Sequence, residues 1–165
     1  SLRSRGLGDV YKRQGVERRF SYRIRRDDLV LIDDYAHHPT ELDALYQGVN
    51  EMYPDDKKVI VFQPHLFSRT RDFIDQFAES LAKFDQVLLL DIYPARETPI
   101  DGVTSLWLLE KIKKIAIDVD NISLVTKESL AEHLKTATCR VKLLVGAGDI
   151  GAEVSQITKI LEHEN

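Results

Sequence analysis

The sequence predicts an α/β domain: a doubly wound, mostly parallel, Rossmann-like sheet of about six strands with an antiparallel strand at one edge. Three observations carry that expectation. Five short apolar runs have the length of strands: LVLID (29–33), KVIVFQ (58–63), QVLLLDIY (86–93), NISLV (121–125) and RVKLLVG (140–146). Segments of helical period separate them, as in successive βαβ units joined by right-handed crossovers. The runs are apolar throughout rather than alternating, which is the mark of strands covered on both faces.

Each element has its own signal. FSYRIR (20–25) alternates, so it reads as a half-exposed edge strand, and RDD (26–28) as the turn after it. The first parallel strand follows at 29–33. Pro39 suits the first turn of a helix whose buried face is Leu42, Leu45 and Val49, with Gly48 as a weak point. After the strand at 58–63, Ser68 is a candidate cap for a helix with Phe73, Phe77 and Leu81 as its stripe. After the strand at 86–93 comes a loop, PARETPIDGV, and then a helix capped by Thr104 or Ser105 with Leu108, Ile112 and Ile115 on one face. Thr126 is the expected cap of KESLAEHLKTA. A last helix is expected from about Ile150 to Leu161.

The bulk composition narrows the class. A chain of 165 residues suffices for one domain with a real core. Its 43% hydrophobic and 30% charged residues are ordinary for a globular protein. No apolar run approaches the roughly 20 residues that span a bilayer, so no membrane partner is expected. The single cysteine, Cys139, excludes an intrachain disulfide and suits a cytoplasmic setting. Net charge is −4, yet the first 26 residues hold nine Lys/Arg against Asp9 and Glu17. No aromatic–basic motif accompanies that basic head, so no nucleic-acid partner is expected. Residues 1–14 show neither apolar period nor signal-peptide core. They read as a non-native or disordered leader to a domain at 15–165.

Ligands of an open parallel sheet bind beyond the carboxyl ends of its strands. Here those ends carry Asp33, Asp34, Tyr35, His37 and His38; Gln63, His65, Ser68, Arg69 and Arg71; Asp91, Tyr93, Arg96 and Glu97; and Gly146 to Asp149. Three of the five histidines lie on this edge. A metal held by Asp33, Asp34, His37 and His38 is disfavoured, because adjacent histidines on a turn diverge and no HExxH or CxxC spacing is present. His38 or Asp34 can instead cap the following helix. GAGDIG (146–151) matches a dinucleotide fingerprint only formally, since it follows the last strand rather than the first. Its small residues still let backbone N–H groups approach an anion. Arg71 and Asp75 are spaced as a helix-surface ion pair. Arg69, in a first helical turn, opposes the helix dipole and so points to an anionic ligand. No Gly-Lys dipeptide occurs, so no phosphate loop is present.

Four motifs together resemble the Mur ligases of bacterial cell-wall synthesis: DDYAHHPTE (33–41), FQPH with SRTRDF (62–73), LLLDIYPARETPIDGVTS (88–105) and VGAGDI (145–150). The resemblance runs from about Gly15 to the end and is to the family's carboxyl-terminal domain. It implies a fragment of a three-domain enzyme whose N-terminal and central domains lie elsewhere in the protein. The central domain would supply the P-loop and the Mg²⁺ ligands for ATP. The implied reaction activates the carboxylate of UDP-N-acetylmuramate as an acyl phosphate, which the amine of L-alanine attacks.

By the resemblance, Asp34 and Tyr35 lie on the nucleotide, Asp34 at its ribose, and His37 and His38 line the reacting centre. His65 and Arg69 hold the alanine carboxylate, with the Gly146–Gly148 turn facing it. The fragment alone is expected to be inactive. Leu66 stands where many members carry arginine, which removes one cationic contact. The role of the YPARE loop is left open. Two other readings remain: a related ligase that recycles a tripeptide onto the same sugar, and a stand-alone nucleotide- or anion-binding module.

Overall fold

In the computed structural model, which describes residues 19–163, the chain opens with a hairpin. Ser21–Arg25 (β1) pairs antiparallel with Val30–Asp34 (β2), with an irregularity between Tyr22 and Ile24. The chain then winds through Pro39–Met52 (α1), Lys58–Phe62 (β3), Phe67–Asp72 (α2), Ile74–Leu81 (α3), Gln86–Leu89 (β4) and Ser105–Lys113 (α4). It continues through Ile122–Leu124 (β5), Leu130–Thr136 (α5), Val141–Val145 (β6), a 3₁₀ turn at Asp149–Glu153 and Val154–Glu162 (α6).

The six strands lie in the order β1-β2-β6-β3-β4-β5, and every pair except β1–β2 is parallel. The chain moves outward from β2 to β5 and then returns, placing β6 between β2 and β3. The expected doubly wound sheet with an antiparallel edge is what forms. The leader expected at 1–14 lies outside the described residues.

Alternation along each strand sends side chains to both faces, and both are covered. Val30, Ile32, Ile60, Phe62, Leu143 and Val145 face α1, α3 and α4 through Leu42, Leu45, Phe77, Leu81, Leu108 and Ile112. Leu31, Val59, Val61, Leu88 and Leu144 face α5 and α6 through Leu130, Leu134, Ile157 and Leu161. Each such buried Leu, Ile or Phe contributes roughly 1.5–3 kcal/mol.

Several local expectations are revised. α1 runs unbroken through Gly48, because Leu45 and Val49 on either side are fully buried. Ser68 does not cap its helix; the first cap position is Leu66, at φ 73°, with no side-chain cap of its own. Phe73 is not on a continuous stripe but breaks the segment into α2 and α3, with φ −118° and ψ 24°. That break separates Arg71 from Asp75, so Arg71 pairs with Asp72 and Asp75 with Lys111.

β4 is regular only to Leu89, although Leu90 and Ile92 remain buried. Thr104 is the cap of α4, accepting from Trp107 N–H at 3.1 Å, while Ile115 falls beyond the helix and is exposed. Thr126 and Ser129 bond each other's backbone N–H, so α5 starts only at Leu130. The 3₁₀ turn delays the last α-helix to Val154.

Candidate functional site

The end of β2 is rigidly built. Asp33 and Asp34 are both fully buried. Asp33 pairs with Arg23 at 3.1 Å. Asp34 Oδ1 accepts the N–H of Ala36 (2.7 Å) and Oδ2 that of Phe20 (2.9 Å). Burial pushes the Asp34 carboxyl up to about 6, outweighing those two donors and the Arg19 charge. The oxygens of Asp34 are enclosed and fix the loop that carries Tyr35 to His38.

His38 is the N-cap of α1. Its Nδ1 accepts from Thr40 N–H (3.3 Å), and its ring lies against Phe73 with centroids 4.7 Å apart. Glu41 completes a capping box, accepting from the N–H of His38 (3.1 Å) and of His37 (3.2 Å). Arg19 bonds the other Glu41 oxygen at 2.6 Å and lies over the Tyr35 ring. Burial works to raise the Glu41 pKa, but Arg19 and His37 outweigh it and hold the carboxyl below its usual range. The His-x-x-Glu spacing was a readable sign of Glu41; the role of Arg19 had none, because its partners lie 16 and 22 positions away.

Beyond the seam, four rings from three strand ends form a chain. Tyr35 and His37 have centroids 5.2 Å apart, His37 and His65 5.9 Å, and His65 stacks on Tyr93 at 5.6 Å. Arg69, one helical turn past His65, places Nη1 3.2 Å from His65 Nδ1. Arginine only donates, so His65 Nδ1 accepts and the ring proton sits on Nε2. Burial, then the charges of Arg69 and His37, hold the His65 pKa below its ordinary value. His37 differs: its Nδ1 is 3.0 Å from the carbonyl of Tyr35, which only accepts, so Nδ1 carries a proton and Nε2 is the nitrogen able to exchange one.

The Gly146–Gly148 turn is closely packed. The N–H of Gly146 donates to Asp34 O at 3.1 Å. A Cβ on Gly148 would stand 2.6 Å from both Gln63 Oε1 and Tyr93 Cγ. Buried Gln63 ties the turn down: its Nε2 donates to Asp149 Oδ1 (2.5 Å) and its Oε1 accepts from Ile150 N–H (3.0 Å). Asp149 also pairs with Lys127. A cavity of about 310 Å³ opens here, between Gln63, Asp91, Tyr93, Thr126, Lys127 and Asp149.

The structure thus gathers His37, His65, Arg69, Tyr35 and Tyr93, while Asp34, His38, Gly146 and Gly148 lie in the adjoining loops, each bonded to backbone around it. Among the described residues no group of three His, Cys, Asp or Glu stands together as a metal site. No helix among them is long and apolar enough to cross a membrane.

This arrangement has known counterparts. The chain is 57% identical over 155 residues to the UDP-N-acetylmuramate–L-alanine ligase of Christiangramia forsetii, covering 94% of this chain and 33% of that protein. It spans about a third of the length of the curated relatives it matches. A solved UDP-N-acetylmuramate–alanine ligase from Thermotoga maritima superposes with a TM-score of 0.69 at 23% identity, over 93% of this chain and 35% of that one. A single-domain structure from Haemophilus ducreyi superposes at 0.58 and 17% identity, over 87% of this chain and 99% of that one, so the fold stands as a separate chain. The family model for the Mur ligase, glutamate ligase domain, matches residues 18–151, and the chain belongs to that family.

Proposed function

We propose that this chain is the amino-acid-presenting domain of an ATP-dependent ligase that joins L-alanine to UDP-N-acetylmuramate. The 57% identity to a ligase of that name carries the substrate assignment. The cluster at the strand ends supplies chemistry suited to it. Arg69, held against His65 at 3.2 Å, offers a guanidinium to the alanine carboxylate. His65, neutral and protonated on Nε2, offers a second donor. His37, with its Nε2 as acceptor, is placed to take the proton that the amine sheds as it attacks the activated carboxylate. Holding amine and acyl group together supplies much of the rate.

ATP fits this chain only in part. Tyr35, half-buried at the seam, presents a ring and hydroxyl to a nucleotide, and the enclosed Asp34 carboxylate holds the loop that carries it. Bound Mg²⁺·ATP supplies the phosphoryl group that activates the carboxylate. We assign its triphosphate cradle and metal ligands to the other two thirds of the ligase, the N-terminal and central domains, and the reaction to the cytoplasm.

The test replaces the matching segment of the C. forsetii enzyme with this chain and follows L-alanine-dependent phosphate release. The chimera is expected to turn over. Arg69→Ala should raise the L-alanine KM about tenfold or more, as loss of a charged hydrogen bond does. His37→Ala should lower kcat about 100-fold. A folded chimera with no alanine-dependent turnover refutes the assignment. Turnover with a muramyl tripeptide substrate in place of alanine moves it to the recycling ligase.

A further inference from the structure

The turn after β4 reaches back to the helix that carries Arg69. The N-cap of α2 is Leu66, whose side chain cannot accept a hydrogen bond and whose φ of 73° is a strained value for leucine. Its exposed N–H groups are met instead from 29 residues away: Glu97 Oε1 accepts the N–H of Ser68 at 3.0 Å, and Oε2 accepts its hydroxyl. The Ser68 hydroxyl and backbone bonds, together with the Arg69 charge, hold the Glu97 carboxyl below its usual range.

The turn itself is fixed by Glu97 N–H donating to Pro94 O at 2.9 Å, with Ala95 at φ 53°. Two more bonds stitch the same loops, Tyr93 N–H to Pro64 O (2.8 Å) and Leu66 N–H to Tyr93 O (2.9 Å). His65 and Arg69 therefore sit between two tie points, the stacked Tyr93 ring on one side and the Glu97 carboxylate on the other.

We propose that Glu97 is a positioning residue of the site: it caps α2 from outside the helix, balances the Arg69 charge, and so holds His65 and Arg69 as one unit. It acts through those two residues and touches no reacting atom. This assigns the YPARE loop its role. The kinetic part rests on the alanine-ligase reading; the structural part does not.

Two variants separate the cap from the charge. Glu97→Gln keeps an acceptor for the Ser68 N–H and a partner for its hydroxyl. Glu97→Ala removes both. In the chimera, Glu97→Ala should raise the L-alanine KM about fivefold, the scale of one lost cap, with kcat and the ATP KM within about twofold of the parent. Glu97→Gln should restore most of that KM.

The second measurement uses this chain alone and follows the His65 ring by NMR against pH. His65 is surrounded by Arg69, His37, Tyr93 and Glu97, and Glu97 is the one of them whose charge favours the protonated ring. In both variants His65 should therefore titrate at lower pH than in the parent. An unchanged His65 titration in both variants overturns the proposal. So does a Glu97→Ala chain that loses kcat, both KM values and melting temperature together without rescue by Glu97→Gln, since that marks a purely structural group. If the chimera lacks alanine-dependent activity while His65 shifts as expected, the functional reading fails and Glu97 still positions the pair.

Discussion

Asp34 shows how burial and hydrogen bonding compete at one residue. Two N–H donors and Arg19 favour its ionised form, yet full burial prevails and lifts its pKa from an ordinary 3.8 to about 6. The folded chain thus holds this proton more tightly than the unfolded one. The resulting stability is complete below about pH 4 and is lost as pH rises through about 6. A displacement of that size is worth about 3 kcal/mol. Glu41 and Asp149, whose pKa values are lowered, contribute with the opposite sign, losing stability as pH falls. Asp34→Asn isolates the Asp34 part, because the other groups cancel in the difference. The melting temperature of the parent relative to Asp34→Asn should fall between about pH 4 and 6 and stay level above. A difference that is flat throughout rules out a raised Asp34. The sequence placed this aspartate at a strand end. It did not show the carboxylate turning inward, because the Phe20 amide that meets it lies 14 residues earlier, in the bend just before β1.

At the scale of elements, helices and strands were readable wherever a local signal set them and misread where a distant group did. Thr104 caps α4 as its sequence position suggests, since donor and acceptor lie three residues apart. Ser68 looks like a cap by the same rule, yet its partner is Glu97, which no window of neighbouring residues contains. The glycines of the β6 turn were readable as small residues at a close approach, and in the structure that approach is to Gln63 and Tyr93. Gly148→Ala therefore forces a Cβ into Tyr93 and should cost about 1–3 kcal/mol, the usual range for overpacking. Because Tyr93 stacks on His65, the same change should also shift the His65 ring resonances. Gly102→Ala is the control. At φ 79° with nothing within 4 Å, it should cost about 1–2 kcal/mol through backbone strain alone and leave His65 unmoved. Equal His65 shifts in the two variants would contradict the packing account.

The molecule as a whole is a sheet insulated by two separate apolar layers. Its class followed from five apolar runs, because a parallel strand covered on both faces must be apolar on both. The strand order did not follow. That β6 inserts between β2 and β3 depends on pairings such as Ile32 with Leu143 and Ile60 with Leu143, across more than 80 residues, which leave no local trace. The insertion brings the ends of β2, β6 and β3 together, so the topology itself assembles the site from segments that are distant in the chain. It also divides the core: Ile112 of α4 belongs to one layer and Ile157 of α6 to the other, with the hydrogen-bonded sheet between them. Ile112→Val and Ile157→Val should each cost about 0.5–1.5 kcal/mol, the loss of one buried methyl group. Sites that share no packing partners add, so the double variant should equal the sum within about 0.5 kcal/mol. Urea unfolding of the four chains measures this, with unchanged slopes showing that each still unfolds in one step. A coupling well beyond that margin would mean that the sheet bends to relieve a cavity on either face. The strand ends that hold His37, His65 and Arg69 would then shift with core mutations more than two rigidly separated layers allow.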